Sequence, residues 1–247
     1  MFYKKKSNQS VKITKKEELK TFFNERVYFG PFSGLKIPEN LYSVLSLSEI
    51  LGLYESCLHP IFEDVLNKNI KNAIIVGGNN GYYTAGLSYL FNPENFYVFE
   101  MDERMHFLIE SWYKKNDLKR PHILGEANDE NFIEFQDGID LLLIDCEGAE
   151  ITLLNPDKFK WQKNTNIILE LHPFYVNNLI NLISKRFSKT HEIKLIYDDF
   201  QEDEKIQKIL NGLNLNIEYS KHPTHRWIIE NNNKIYTSGI FMYLKCK

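Results

Sequence analysis

The sequence predicts a doubly wound α/β fold built on a mostly parallel sheet, and three observations lead there. From Asn72 onward, short apolar runs alternate with longer stretches of helical periodicity. The runs are apolar throughout rather than alternating, which is the mark of strands buried on both faces. Right-handed crossovers then place helices on both sides of the sheet. Several runs also end abruptly in glycine or acid: GGNNG follows NAIIV, Glu100 follows FYVF and Asp145 follows IDLLLI. Finally, 247 residues with 43% hydrophobic and 26% charged side chains are enough to bury a full core.

The elements are predicted in chain order as follows. Thr14 and Glu17 have capping-box spacing, which predicts a short helix from about Lys15 to Asn24. GPFSGLKIPEN is a turn-rich connector. Ser48 is expected to cap a second helix through EILGLYESCL, and Pro60 to open a third through IFEDVLNK. Residues 1–71 are therefore expected to form a helical extension, either a lid or an oligomerisation element. Residues 72–247 are expected to carry the sheet. There NAIIVG, FYVFE, HILG, IDLLLID and NIILELH read as strands. GYYTAGLSYLF, ERMHFLIESWYKKN, DENFIEFQ, GAEITLL and FYVNNLINLISKRF read as the helices that follow them. In the tail, EIKLIY, LNIEYS and GIFMYLK are strand-like, and the last two would suit an antiparallel edge.

Composition excludes several classes of function. No apolar run approaches the ~20 residues of a membrane-spanning helix, and the basic start MFYKKKSNQS lacks the apolar stretch of a signal peptide. Three widely spaced cysteines, Cys57, Cys146 and Cys246, make neither a disulfide framework nor a zinc cluster and fit a reducing cytoplasm. A net charge of -3 disfavours a dedicated nucleic-acid binder. The lysines between Lys4 and Lys20, interrupted by Glu17 and Glu18, read as a solvated terminus.

In an open α/β sheet, ligands sit beyond the carboxyl ends of the strands, so the residues there are the candidates. GGNNG, Gly77 to Gly81, lacks the spacing of the dinucleotide fingerprint because Asn79 stands at its third position, and it lacks the lysine of a phosphate-binding P-loop. Glu100 follows about 20 residues on, where an acid accepts hydrogen bonds from both hydroxyls of a ribose. Turn and acid together indicate a nucleoside-bearing ligand. Glu126 or Asn128, after the third run, would meet the base. Asp145, Glu147 and Glu150 follow the fourth run. The helix dipole accounts for Glu147 and Glu150, but Asp145 closes an otherwise apolar strand. Glu170 and His172, two apart after the fifth run, share one strand face beside Asp145. Asp145 and His172 are candidates for general-base work. Asp145, Glu170 and His172 are equally suited to a divalent metal ion. The tail around His222, His225 and Trp227 is expected to help shape a pocket for a second substrate.

GGNNGYYTAGLSYLFNPENFYVFEMDE, IDLLLIDCEGAEITLL and NIILELHP together resemble the FkbM-type S-adenosylmethionine-dependent methyltransferases. The resemblance runs from about Leu51, through LGLYES, to about Pro173, roughly half the chain. DxEGxE, here Asp145 to Glu150, is its most specific element. It implies the class I methyltransferase fold, a Rossmann-like seven-stranded sheet with the last strand antiparallel. It implies S-adenosylmethionine against Gly77, Gly78, Asn79, Gly81 and Tyr82, with the ribose on Glu100 beside Met101. The adenine would lie at Glu126 and Ala127, and Asp145 would stand near the methyl group. The acceptor it implies is a hydroxyl of a sugar, glycan or other small molecule. The chain departs from the family pattern at Ile75, where an acid usually stands two residues before the first glycine. Loss of that acid would weaken cofactor binding, or Glu55 from LGLYES would meet the methionyl amine in its place, or the domain would be a degenerate, non-catalytic S-adenosylmethionine-binding module.

Overall fold

Seven strands form the central sheet: β1 (Asn72–Val76), β2 (Asn95–Phe99), β3 (His122–Leu124), β4 (Leu141–Ile144), β5 (Asn166–Glu170), β6 (His191–Tyr197) and β7 (Ile240–Cys246), in the order β3-β2-β1-β4-β5-β7-β6. The computed structural model describes residues 11–12, 19–135, 138–173, 178–198, 201–217, 219, 226–230, 233–237 and 239–247. β1 to β5 pair in parallel and β7 runs antiparallel to both neighbours. The chain leaves β1 towards β2 and β3, then returns to place β4 on its other side. This reversal opens a crevice at the carboxyl ends of β1 and β4.

Each strand divides its side chains between two cores. Ala73 and Ile75 of β1, Leu141 and Leu143 of β4, and Phe241 and Tyr243 of β7 belong to one face. Ile74 and Val76, Leu142 and Ile144, and Ile240, Met242 and Leu244 belong to the other. Burial on both faces is the physical reason for runs without polar alternation. The first face is covered by residues from 19–70, including α1 (Leu19–Phe22), α2 (Leu47–Leu51) and α3 (His59–Leu66), and by α4 (Tyr82–Phe91) and α5 (Glu103–Asn116). The second is covered by α6 (Asp129–Ile133), α7 (Glu150–Leu153) and α8 (Leu179–Phe187). α9 (Glu202–Gly212) returns to the first face through Ile206 and Leu210.

Three local expectations are corrected. GIFMYLK is antiparallel but lies inside the sheet, between β5 and β6. Its five residues Ile240 to Leu244 are all buried, whereas β6 exposes Glu192 and Lys194 as an edge strand does. LNIEYS contributes only Leu215–Asn216 to a strand among the described residues, paired in parallel with Val11–Lys12. The cap of α2 is Ser46 rather than Ser48. Its hydroxyl accepts from the Glu49 N–H while the Glu49 carboxylate accepts from the Ser46 N–H, and the helix stops at Gly52. Pro60 stands in the first turn of α3 as expected. Thr14, Glu17, His222 and His225 lie outside the described residues. Trp227 is on the strand Arg226–Glu230, paired with Asn233–Thr237, and its side chain is likewise outside the described set. No described helix is long and apolar enough to cross a membrane.

Candidate functional site

The glycine turn is shaped by close backbone approach. Gly77 has φ 91°, and a Cβ there would stand 1.8 Å from the Asp145 carbonyl oxygen, so only glycine fits between the ends of β1 and β4. The N–H groups of Gly77 and Gly78 donate to the Phe99 carbonyl at 2.9 and 3.2 Å, tying the turn to β2. The Asn80 side chain accepts from the N–H of Tyr82, the first residue of α4, at 3.0 Å. Glu100 is fixed next to this turn. Its Oε2 accepts from the Asn79 N–H at 2.7 Å and its Oε1 from the Asp102 N–H at 2.8 Å. A carboxylate has about four lone-pair sites, so two bonds orient it without exhausting it.

A cleft of about 420 Å³ opens at this edge of the sheet. Gly77, Asn79, Glu100, Met101, Glu126, Ala127 and Asp145 line it, together with Asp102, Met105, Cys146 and Glu147. The residues predicted for the nucleoside and cofactor therefore converge, with five exceptions. Gly78 is packed against Val98 and Ile109, and Gly81 against Trp112. Tyr82 is buried in an aromatic group with Phe32, Tyr54 and Tyr83. These three hold the turn from behind rather than lining the cleft. Asn128 caps α6, accepting from the N–H groups of Glu130 and Asn131, and does not line the cleft either. Glu55 lies outside the cleft lining, where its carboxylate accepts the Tyr83 hydroxyl at 2.6 Å. Burial, with Asp145 and Asp198 adding repulsion, pushes the Glu55 carboxyl up to about 8 against hydrogen bonds from Tyr83 and Tyr54. Ile75 is fully buried in the first core.

Beside the cleft, one histidine stands among four acids. His172 is 2% exposed. Its Nδ1 lies 2.5 Å from Oε1 of Glu150, which is 0% exposed. A carboxylate only accepts, so Nδ1 carries the hydrogen and donates it. Nε2 is then directed towards Glu147, Asp145 and Glu170, at 3.5, 3.9 and 4.0 Å. Burial opposes protonation of His172, but the hydrogen bond to Glu150 and the charges of Glu150, Glu170 and Glu147 outweigh it and raise its pKa. Burial also raises the pKa of Asp145, with Glu147 and Glu150 adding to it against His172 and a hydrogen bond with Glu170. Asp145, His172 and Glu170 are thus brought together as their strand positions predict.

Glu147 and Glu150 need more than the helix dipole. Left-handed backbone at Glu147 and Gly148, φ 53° and 118°, turns the chain sharply between β4 and α7. That turn carries Glu147 over the Nε2 side of His172 and drives Glu150 into the core on the Nδ1 side. The signal was the DxEGxE spacing itself, with an acid before a glycine that permits the turn and an acid after it. Asp102, Met105 and Cys146 carried no such signal, since their place in the cleft follows from the ends of β2 and β4 and the first turn of α5.

Residues 124–193 match the family model described as the methyltransferase FkbM domain. No curated protein matches the sequence. Among solved structures, an rRNA methylase from Streptococcus thermophilus is similar with a TM-score of 0.50 and 10% identity, covering 77% of this chain and 96% of that one. A precorrin-6y C5,15-methyltransferase from Geobacter metallireducens gives 0.48 and 9%, covering 76% and 86%. A spermidine synthase from Thermotoga maritima gives 0.46 and 16%, covering 75% and 57%. At such identities the likeness to the rRNA methylase concerns the fold alone. The chain thus has the class I methyltransferase fold, and its residues 124–193 are similar to the methyltransferase FkbM domain.

Proposed function

We propose that this protein is an S-adenosylmethionine-dependent methyltransferase that methylates a hydroxyl group, on a sugar or glycan. The observation that carries the reading is Glu100, held by two backbone N–H groups at the wall of a cleft that Gly77 and Asn79 also line. A fixed carboxylate next to a glycine turn suits a ribose diol. Glu126 and Ala127 would border the adenine, Met101 and Met105 would give it an apolar wall, and Gly77 and Asp145 would line the place of the methionyl arm. With Ile75 buried, Glu55 is the acid assigned to the methionyl amine.

The methyl group leaves a sulfonium, so the step needs an in-line oxygen and little electrophilic help. The oxygen–carbon bond forms as the carbon–sulfur bond breaks, and that electron pair stays on sulfur. Holding the two partners in place contributes up to ~7–11 kcal/mol in favourable cases. The hydroxyl proton would pass to Asp145 or His172, and a cation held by these residues would make that hydroxyl more acidic.

Transfer of labelled methyl from S-adenosylmethionine to a panel of oligosaccharides and small hydroxyl compounds, with an RNA arm included, tests the reading. Methylated sugar that is lost in Asp145→Ala or His172→Ala supports it. Tight cofactor binding with no transfer to any arm would instead mark a non-catalytic binding module, and transfer to RNA alone would replace the acceptor class.

A further inference from the structure

We propose that Asp145, Glu147 and His172 form a binding site for one divalent cation of the Mn²⁺ type, at the rim of the cleft. One oxygen of each acid and one imidazole nitrogen of His172 lie within 4.8 Å of one another. The separations from Nε2, 3.5 Å to Glu147 and 3.9 Å to Asp145, exceed hydrogen-bonding reach. They are the spacing of atoms that share an ion. With bonds of ~2.1 Å to a six-coordinate cation, ligand atoms stand ~3.0 Å apart when adjacent and ~4.2 Å when opposite.

A second observation comes from behind the imidazole. Glu150 is wholly buried, and among the described residues its Oε2 has no hydrogen-bond partner. A buried carboxylate that accepts from Nδ1 is the arrangement by which proteins fix the tautomer and raise the basicity of a metal-bound histidine, presenting Nε2 as the ligand. Among the described residues, the ion pairs of Asp145, Glu147 and Glu150 are all with His172, and none is with a lysine or arginine. Glu150 is wholly buried beside the two partly exposed acids, and the repulsion among them costs free energy that a dication would offset. Two carboxylates with one imidazole suit Mn²⁺ better than thiophilic metals, and three ligands leave positions open to water or a hydroxyl.

The site is argued from these residues alone. Only its catalytic use rests on the methyl-transfer reading: the cation would bind and acidify the acceptor hydroxyl, and His172 would then serve as ligand rather than base.

The test is Mn²⁺ titration of the chelator-treated full chain, following the electron paramagnetic resonance signal of free Mn²⁺. One ion per chain is expected. Glu147→Gln should weaken binding at least tenfold, Asp145→Asn and His172→Gln should abolish it, and Glu100→Gln should leave it unchanged. Glu147 is 71% exposed, so its variant folds even if those at Asp145 and His172 do not. An undiminished free signal up to millimolar Mn²⁺, or Glu147→Gln binding like the wild type, would overturn the proposal. Specific Mn²⁺ binding without methyl transfer would leave the site standing and overturn only the proposed activity.

Discussion

Ile75 shows how one side chain can redistribute a site. It is paired with Val98 and Leu143, and it packs in the core that the N-terminal segment covers. A carboxylate there would be desolvated with no cation to meet it, so Ile75→Asp should cost several kcal/mol of stability, about 3 or more. Chemical denaturation measures this, and a loss below about 1 kcal/mol would show that the position is wet. In the proposed function the amine contact would then fall to Glu55. Glu55→Gln should raise the dissociation constant for S-adenosylmethionine about tenfold with little change in melting temperature, since a charge-assisted hydrogen bond contributes roughly 1.5–3 kcal/mol. Unchanged affinity in calorimetry would remove Glu55 from the site. Gly77 gives a stricter prediction. Its positive φ and the Asp145 carbonyl leave no room for a methyl group, so Gly77→Ala should destabilise the fold by at least about 2 kcal/mol. Near-wild-type stability in a urea melt would contradict that geometry.

At the scale of elements, α7 is too short to hold itself, yet it carries Glu150. Its carbonyls are satisfied from outside: Arg186 of α8 donates through Nη1 to Ile151 and Leu154, both at 2.6 Å, and Gln162 donates to Leu153 at 2.7 Å. Arg186→Met should therefore loosen α7 and with it the Glu150–His172 pair. The expected result is a lower melting temperature and weaker Mn²⁺ binding together. Loss of stability with full binding would separate the helix from the site. α3 offers a pH prediction. It starts at His59, whose ring lies against Gly30 and near Phe29. Burial, with the nearby charge of Lys205, lowers its pKa to about 4. The unfolded chain, with a pKa near 6.5, then binds more protons than the fold, so stability falls as the pH drops from about 6.5 to about 4. The loss is up to ~3 kcal/mol at full burial and less for a partly exposed ring. His59→Gln should flatten this slope in melts between pH 7 and 4. An unchanged slope would assign the acid sensitivity elsewhere.

The whole molecule explains which features could be read from the sequence. β1 to β5 were legible because a strand covered on both faces must be apolar throughout, and such runs stand out between helical stretches. The cleft edge was legible because a parallel sheet presents the ends of its strands together, which brought Gly77, Glu100, Ala127 and Asp145 to one cleft. The interior place of β7 was not, because strand order depends on which edges remain open after the helices pack. Nor was the burial of Glu150, since its partner His172 lies 22 positions away and only the folded sheet brings them together. The N-terminal segment was the least legible part. Leu35, Ile37, Leu41, Ile50, Leu51, Leu58, Phe62 and Val65 are all at most 2% exposed and share one core with Ala73, Ile75, Leu141 and Leu143. Burial of a side chain of this kind contributes ~1.5–3 kcal/mol, so these eight together account for about 12–24 kcal/mol as an upper bound. That is comparable to or larger than the ~5–15 kcal/mol net stability of a typical domain. A chain beginning at Asn72 should therefore fail to fold, showing no cooperative melt and no near-ultraviolet circular dichroism. A fragment 72–247 that melts cooperatively would show instead that residues 1–71 are a separable lid.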